Sequence, residues 1–445
     1  MDYLRAWDYV IFIFYFIVLI AIGSYFRKKA ATNLEHYFLA GRNMPWWLLG
    51  LSQMSFWFDM TGTMIITSFL YLLGPRGIYI EFRGGAGLVL VFMMLWVGKW
   101  HRRSGVITAA EWMIYRFGKD FWAHFARLTS VVANVILNLG MLAYSFKGAG
   151  LFLSMFLPFS PMVCCLIMVV ITAIYTIEAG FYGVVFSDIF QSLCIWLGVG
   201  LIVAVAVAKI SGIPDLSALA TSVTGNPNWT SSLPDFNTPM PAGYEQYSWL
   251  FMLMLLYFGK TLIQGLGAGA DPRFFGARSD RDCGLLCFTA EWTMMLRWPL
   301  MISFAVLGLF LVKDFFPDQT VLLQAATLIK SHAGAVAANE WPELIARIMN
   351  HPQSFPAELI TGLSQLLGPN WSSKLNLLSY YGTVDPERIL PGVLLHSVPA
   401  GIRGLILVAL MAAAMSTFNA LTNGATGFLT RDLYQGYIRP QAGNK

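Results

Sequence analysis

Long apolar runs alternate with short polar connections along this chain, and most of the runs are long enough to cross a bilayer. In order they fall at about nine places: 9–26, 46–73, 84–100, 128–156, 161–177, 184–208, 248–270, 290–312 and 404–430. A spanning helix needs about 20 apolar residues, with a range of about 17–25, and 84–100 sits at the short end. The run Tyr9–Phe26 is too long for a signal-peptide core, lacks a small-residue cleavage site and ends at Arg27-Lys28-Lys29, so it reads as a retained helix. Two polar stretches interrupt the alternation. Residues 209–247 are rich in Ser, Pro, Asn and Thr. Residues 313–403 carry apolar positions at helical spacing over 319–348 and then Pro352, Pro356 and Pro369, which predicts one or two short surface helices. The stretch 105–117 is amphipathic, with Trp112 and Tyr115, and predicts a helix lying along the membrane surface.

Composition agrees with the pattern. Hydrophobic residues make up 57% of the chain and charged residues 12%, against about 25% charged in a soluble domain. The chain reads as an integral membrane protein. A net charge of +5 is small for 445 residues and gives no reason to expect nucleic acid as a partner. The basic residues follow the loops instead. Arg27, Lys28, Lys29 and Arg42, then Lys99, Arg102, Arg103, Arg116 and Lys119, then Arg273, Arg278 and Arg281, then Arg431, Arg439 and Lys445 fall on one side by alternation. The other side's short loops offer Arg5, Arg76 and Arg83. The positive-inside rule makes the richer side cytoplasmic, with the N-terminus outside, the C-terminus inside and the plasma membrane as location. The five cysteines lie in or beside apolar runs, which predicts no disulfide framework, and Cys283-x-x-x-Cys287 has no histidine nearby to suggest a metal site. No H-E-x-x-H, G-x-S-x-G or P-loop is present. That pattern speaks against an enzyme and against an organic cofactor. No repeated filter suggests a channel.

One run breaks its own rule. WWLLGLSQMSFWFDMTGTMIITSFLYLL, at 46–73, holds Ser52, Ser55, Asp59, Thr61, Gly62 and Thr63 at its middle. A carboxylate there costs at least about 2.5–3.5 kcal/mol on insertion scales. Either Asp59 is paired structurally within a bundle, or the helix is interrupted near 55–62 and its freed carbonyls and hydroxyls coordinate an ion. A second run, 248–270, carries Gly259, Lys260, Gln264, Gly265, Gly267 and Gly269 and predicts a second interruption. Paired Gly-interrupted runs point to a transporter binding site. Five spans lie between 46 and 208. Three begin at 248 in the opposite orientation, which predicts an inverted repeat of five-helix units with an incomplete second copy. About two further helices are then expected, in a longer product or a partner.

Cations within the runs also need a place. Lys147 lies toward a helix end and is expected to snorkel. Lys260 is roughly 18 Å along its run, near mid-depth. Asp59 is at similar depth in its own run, and the two are expected to form an ion pair beside a solute.

Four motifs in order carry a resemblance: EHYFLAGRNMPWWLLGLS at 35–52, SGVITAAEWMIYRFG at 104–118, EAGFYGVVFSDIFQS at 178–192, and the stretch 389–434 containing MSTFNALTN. Together the chain resembles the sodium/solute symporter family, whose members share the LeuT-type inverted-repeat fold. The resemblance implies an all-α polytopic protein. It divides into a leading helix and loop (1–45), a first repeat (46–208), an extracellular loop (209–247), a partial second repeat (248–434) with an extracellular loop (313–403), and a cytoplasmic tail (435–445). It implies a sodium-coupled symporter of a small polar organic solute, most sugar-like, working by alternating access. An anionic solute such as a carboxylate or sialic acid, or a non-transporting sensor relative, are the alternatives. Partners are then sodium, the solute and the bilayer, with the chain a monomer or weak oligomer.

At matching positions the resemblance places sodium against the carbonyls of Ser55 and Phe58 and against Ala413, Ser416 and Thr417. Back-bonding of Ser416 and Thr417 to the preceding turn is the structural alternative. Asp188 matches an acid that draws sodium toward the cytoplasm, or else caps a helix. Glu81 matches a position facing substrate hydroxyls, or pairs with Arg76 or Arg83 in a loop. Gln264 lies where the family places an amide beside substrate. Arg297 lies near a position that carries lysine in some members. Asp59, Gly62 and Lys260 complete the candidate solute residues.

Overall fold

Polar side chains cap many of the helix starts in this fold. The structure, a computed structural model, describes residues 4–84, 87–233, 235–267, 271–334 and 336–443. The leading helix α1 (Ala6–Ala30) is followed by α2 (Leu34–Leu39), capped by Asn33, whose side chain accepts from the His36 amide. The polar-centred run becomes two helices, α3 (Trp46–Phe58) and α4 (Met60–Leu73). After a 3-10 stretch, Gly74–Gly84, come α5 (Leu88–Phe92) and α6 (Gly98–Ser104), joined through a π turn, Met93–Val97. Then follow α7 (Ala109–Phe117), capped by Thr108, and α8 (Phe121–Leu153), capped by Asp120.

The next helix, α9 (Pro161–Ile210), holds 50 residues. At 1.5 Å per residue that is about 75 Å, more than twice a hydrocarbon core. Gly180 resolves the excess: at φ 50°, ψ −142° it leaves helical geometry. Tyr175 and Gln191 come close enough to act on one another across it, although a straight helix would hold them about 24 Å apart. The chain therefore doubles back at Gly180, giving the two expected spans. A Cβ at this glycine would sit 2.6 Å from the Tyr37 carbonyl oxygen.

Beyond α10 (Leu216–Thr224) runs α11 (Leu250–Gly267), then α12 (Pro272–Gly276), α13 (Asp280–Met294) and α14 (Arg297–Phe315). The polar stretch between 313 and 403 forms more helix than expected: α15 (Thr320–Ala333), α16 (Trp341–Asn350), α17 (Ala357–Leu367), α18 (Trp371–Leu375) and α19 (Ile389–His396). The last long helix is α20 (Ile402–Gly427), which passes into a π stretch, Phe428–Ile438. No β-strand occurs among the described residues. All nine expected runs contain helix, and among the described residues six helical stretches are long and apolar enough to cross a membrane, α9 counting once.

Within the described residues α11 is continuous through Gly259, Lys260 and Gln264 to Gly267; the Gly-rich end of the expected interruption, with Gly269, lies outside them. A separate turn joins α13 to α14 at residues 295–296. Pro299 explains this. It has no N–H for the Met295 carbonyl, and its ring crowds that carbonyl.

α20 packs along α9, α8, α3 and α1 and forms the buried spine of the molecule. Its start is held by α1: Asp8 accepts from the amides of Gly401 (2.8 Å) and Gly404 (2.9 Å) and from both Nε (3.1 Å) and Nη2 (2.6 Å) of Arg403. The basic loops share one face, where Arg42 donates to the carbonyl of Val106, Arg103 pairs with Asp280 and Arg431 with Glu111. The two polar stretches share the opposite face, joined by Gln319 donating to the Val223 carbonyl and Tyr244 to Glu387.

Candidate functional site

The break between α3 and α4 turns on Asp59. Its backbone adopts φ 33°, ψ 109°, and its carboxylate accepts from the amides of Thr61 (3.2 Å) and Gly62 (2.9 Å). Asp59 is thus the N-cap of α4, satisfying donors that a helix start leaves open and meeting its positive dipole end. The Thr63 hydroxyl closes the other side of the break, bonding the carbonyls of Phe58 (2.9 Å) and Asp59 (2.8 Å).

A cavity of about 380 Å³ opens at this break. Asp59, Gly62, Glu81, Arg83, Tyr144 and Arg297 line its polar side, and Phe56, Trp57 and Ile66 its apolar side. Arg297, the first residue of α14, is 5% exposed. Its fork spans the site: Nε donates to the Thr63 hydroxyl (3.0 Å), Nη1 to Glu81 (3.1 Å) and Nη2 to the Asp59 carbonyl (3.4 Å). The α3–α4 break and the start of α14 therefore meet through one guanidinium. Gly62 makes this possible, since a Cβ there would lie 2.7 Å from Asp59 Oδ2 and 2.8 Å from Arg297 Nη2. Tyr144 of α8 donates to Asp59 (3.3 Å) and accepts from Arg83 (3.4 Å).

A second polar cluster lies toward the basic face, one to two turns back along α3. Asp188 is fully buried. One of its oxygens, Oδ2, accepts from the Ser52 hydroxyl and from Arg273 Nη2 (3.3 Å), a guanidinium only 1% exposed that also holds Ser52 and Asp271. The other oxygen, Oδ1, has no hydrogen-bond partner, nor does the Ser416 hydroxyl. Ser416 is nevertheless close enough to act on Asp188. Two buried oxygens on neighbouring residues, each without a hydrogen-bond partner, are a donor set that a hard cation suits. Ser55 bonds the Asp188 carbonyl (3.1 Å) and the Ser192 hydroxyl (2.8 Å). Thr417 bonds the Phe56 carbonyl (2.9 Å) and back-bonds to the Ala413 carbonyl (3.1 Å), as the structural alternative expects.

The expected residues thus fall into two clusters and a remainder. Asp59, Gly62, Glu81 and Arg297 surround the cavity; Ser55, Phe58, Ala413, Ser416, Thr417 and Asp188 lie on the adjoining α3–α9–α20 seam. Asp188 caps no helix. Glu81 pairs with Arg297 rather than with Arg76, which goes to Asp235, or Arg83. The expected Asp59–Lys260 pair does not form. Lys260 and Gln264 are exposed on α11 and line no part of the cavity, and Lys260 lies over the Tyr257 ring at 5.8 Å. The face Lys260 occupies points away from the cavity. Ser192, Tyr144 and Glu291 were not singled out; Ser52 and Thr63 were noted only as polar residues of the broken run, and Arg273 only as a basic-loop residue. Ser52 with Ser55, and Asp188 with Ser192, stand three or four residues apart, a spacing that shares one helix face.

A model of the "Sodium:solute symporter family" matches residues 37–350 and 382–445. The chain is similar to sodium/glucose cotransporter 1 of Ovis aries, 24% identical over 454 residues, covering 99% of this chain and 60% of that protein. It is also similar to sodium/glucose cotransporter 4 of Danio rerio, 23% identical over 479 residues, covering 99% and 60%. The chain thus spans about three fifths of the length of these relatives. Among solved structures, a Na+-coupled sialic acid symporter in a substrate-bound outward-open state matches with a TM-score of 0.69 at 18% identity, over 99% of this chain and 76% of that one. That likeness shows a LeuT-type fold, which fits the broken α3–α4 pair and the three spans after 248. With the family match covering most of its length, this multi-pass membrane chain belongs to the sodium:solute symporter family.

Proposed function

We propose that the chain is the core of a sodium-coupled symporter that moves a small polar organic solute by alternating access. The observation that carries this reading is the pair of unfilled buried oxygens, Asp188 Oδ1 and Ser416 Oγ, on the same α3 that ends at the cavity. Sodium would be held there by Asp188 and Ser416, with Thr417 and the carbonyls of Ser55, Phe58 and Ala413 within the same seam. Its charge would compete with Arg273 for Asp188 and so loosen the grip of α12 on Ser52. Because Ser55 and Asp59 are one turn apart, a small shift of α3 moves both sites. This is how ion occupancy would bias the solute cavity. The solute would sit against Asp59, Gly62, Glu81 and Arg297, where carboxylate and guanidinium edges suit hydroxyl groups; the named relatives carry glucose. By the basic-loop count the N-terminus faces outside and the C-terminus the cytoplasm, in the plasma membrane.

Sodium-dependent uptake into proteoliposomes tests the activity, and thermal stability in sodium against potassium tests the ion. Equal stability in both salts would sink the sodium site. Labelling of a cysteine at position 102 from outside sealed cells would overturn the orientation.

A further inference from the structure

Each carboxylate around the cavity can be asked what answers its charge. Asp59 is met by two amides at a helix start and by the Tyr144 hydroxyl. Glu81 is met on Oε1 by Arg297, while its Oε2 is buried without a partner, in a residue 8% exposed on the cavity wall. Glu291 of α13 is met by nothing. It makes no ion pair or hydrogen bond among the described residues, its Oε1 is buried and unpartnered, and the one charged group acting on it is Glu81, which repels it. Its carboxylate reaches the cavity wall through Gly87, where a Cβ would lie 2.1 Å from Oε2. The bare backbone at 87 is what makes room for it.

A buried carboxylate without a counter-charge is costly, and within a membrane more so. Glu81 has one guanidinium partner and Glu291 none, and each keeps a free oxygen, so the pair of carboxylates lacks one positive charge. We infer that the solute supplies it: the cargo carries a cationic nitrogen, an ammonium group received between Glu81 Oε2 and Glu291 Oε1. The inference rests on the reading of this cavity as the solute site. An ammonium with two or three N–H donors would bond both free oxygens at once and remove the repulsion between the two acids. Hydroxyl groups alone would leave the charge unanswered.

The test uses the full chain, purified in sodium, with matched probes: methylammonium, glucosamine, glucose and N-acetylneuraminate. Glucosamine and glucose differ in one ammonium. Methylammonium and glucosamine are expected to raise Tm, and Glu291→Gln to weaken the glucosamine effect at least tenfold in apparent affinity. Glu291→Asp, which keeps the charge, should retain part of it and serves if the glutamine variant does not fold. A shift from glucose or N-acetylneuraminate with the amines silent overturns the inference. So does an amine effect unchanged by Glu291→Gln, which is the outcome if Glu291 merely holds a proton, and so does silence from every probe. The sodium-induced shift of the unmutated chain, read alongside, tests the symporter reading separately.

Discussion

Asp59 and Asp188 are both carboxylates within the apolar bulk of one molecule, joined through a single helix, yet they are held by different chemistry. Asp59 is answered by the main chain: a helix start donates two amides, and a tyrosine adds a hydroxyl. Asp188 is answered by a side chain, Arg273, that lies 85 positions away and is itself almost wholly enclosed. Amides at a helix start cannot leave without unwinding the helix. A guanidinium can swing away or be displaced by another cation. The Asp59 arrangement is therefore a fixed wall, and the Asp188 arrangement a replaceable lock.

The contrast can be broken most directly at the lock. Asp188→Ala leaves the buried guanidinium with only the partly exposed Asp271 as a carboxylate partner and is expected to cost about 3 kcal/mol, whereas adding Arg273→Met should recover part of it. Chemical denaturation in detergent would read both, and a single-variant cost below about 1 kcal/mol would show that the pair is not built as described. A second measurement concerns the ion. Ser416→Ala with Thr417→Ala should remove most of the Tm gain on adding sodium, and an undiminished gain would place the ion elsewhere. At the wall the effects should be smaller. Asp59→Ala removes an N-cap and should cost about 0.5–2 kcal/mol, less than the lock; a cost equal to that of Asp188→Ala would erase the distinction. Smallest is Lys260→Gln, expected within about 0.5 kcal/mol of the unmutated chain. Its double-mutant cycle with Asp59→Asn should show coupling near zero.

Much of this was legible in the residues. The α3–α4 break announced itself because Ser55, Asp59, Gly62 and Thr63 have no reason to sit together in a helix that only spans. The doubling of α9 was visible as the less apolar stretch about Gly180. What stayed hidden was azimuth and long-range pairing. Counting at 1.5 Å per residue gives Lys260 a position along its run but not the face it occupies, which depends on how α11 packs. Pro299, which removes a helical hydrogen bond at the start of α14, was overlooked inside an apolar run. Arg273 read as a loop charge on topology, because nothing local says that a short helix carries it inward to Ser52. Glu291 stands beside a tryptophan on an otherwise ordinary helix, and its isolation is a property of its neighbours.

The clasp of Asp8 on α20 makes the leading helix something other than an accessory. One carboxylate both caps the start of the helix that carries Ser416 and Thr417 and occupies the fork of Arg403. Anyone trimming the first thirty residues for expression, or swapping them for a tag or a foreign signal anchor, would be unfastening the far end of the helix that carries Ser416 and Thr417. If the proposed sodium site holds, such a chimera is expected to insert and yet lose the sodium-induced gain in Tm, a failure easily mistaken for a wrong choice of cargo. A substitution confined to Asp8 separates the two explanations before any library of cargoes is screened.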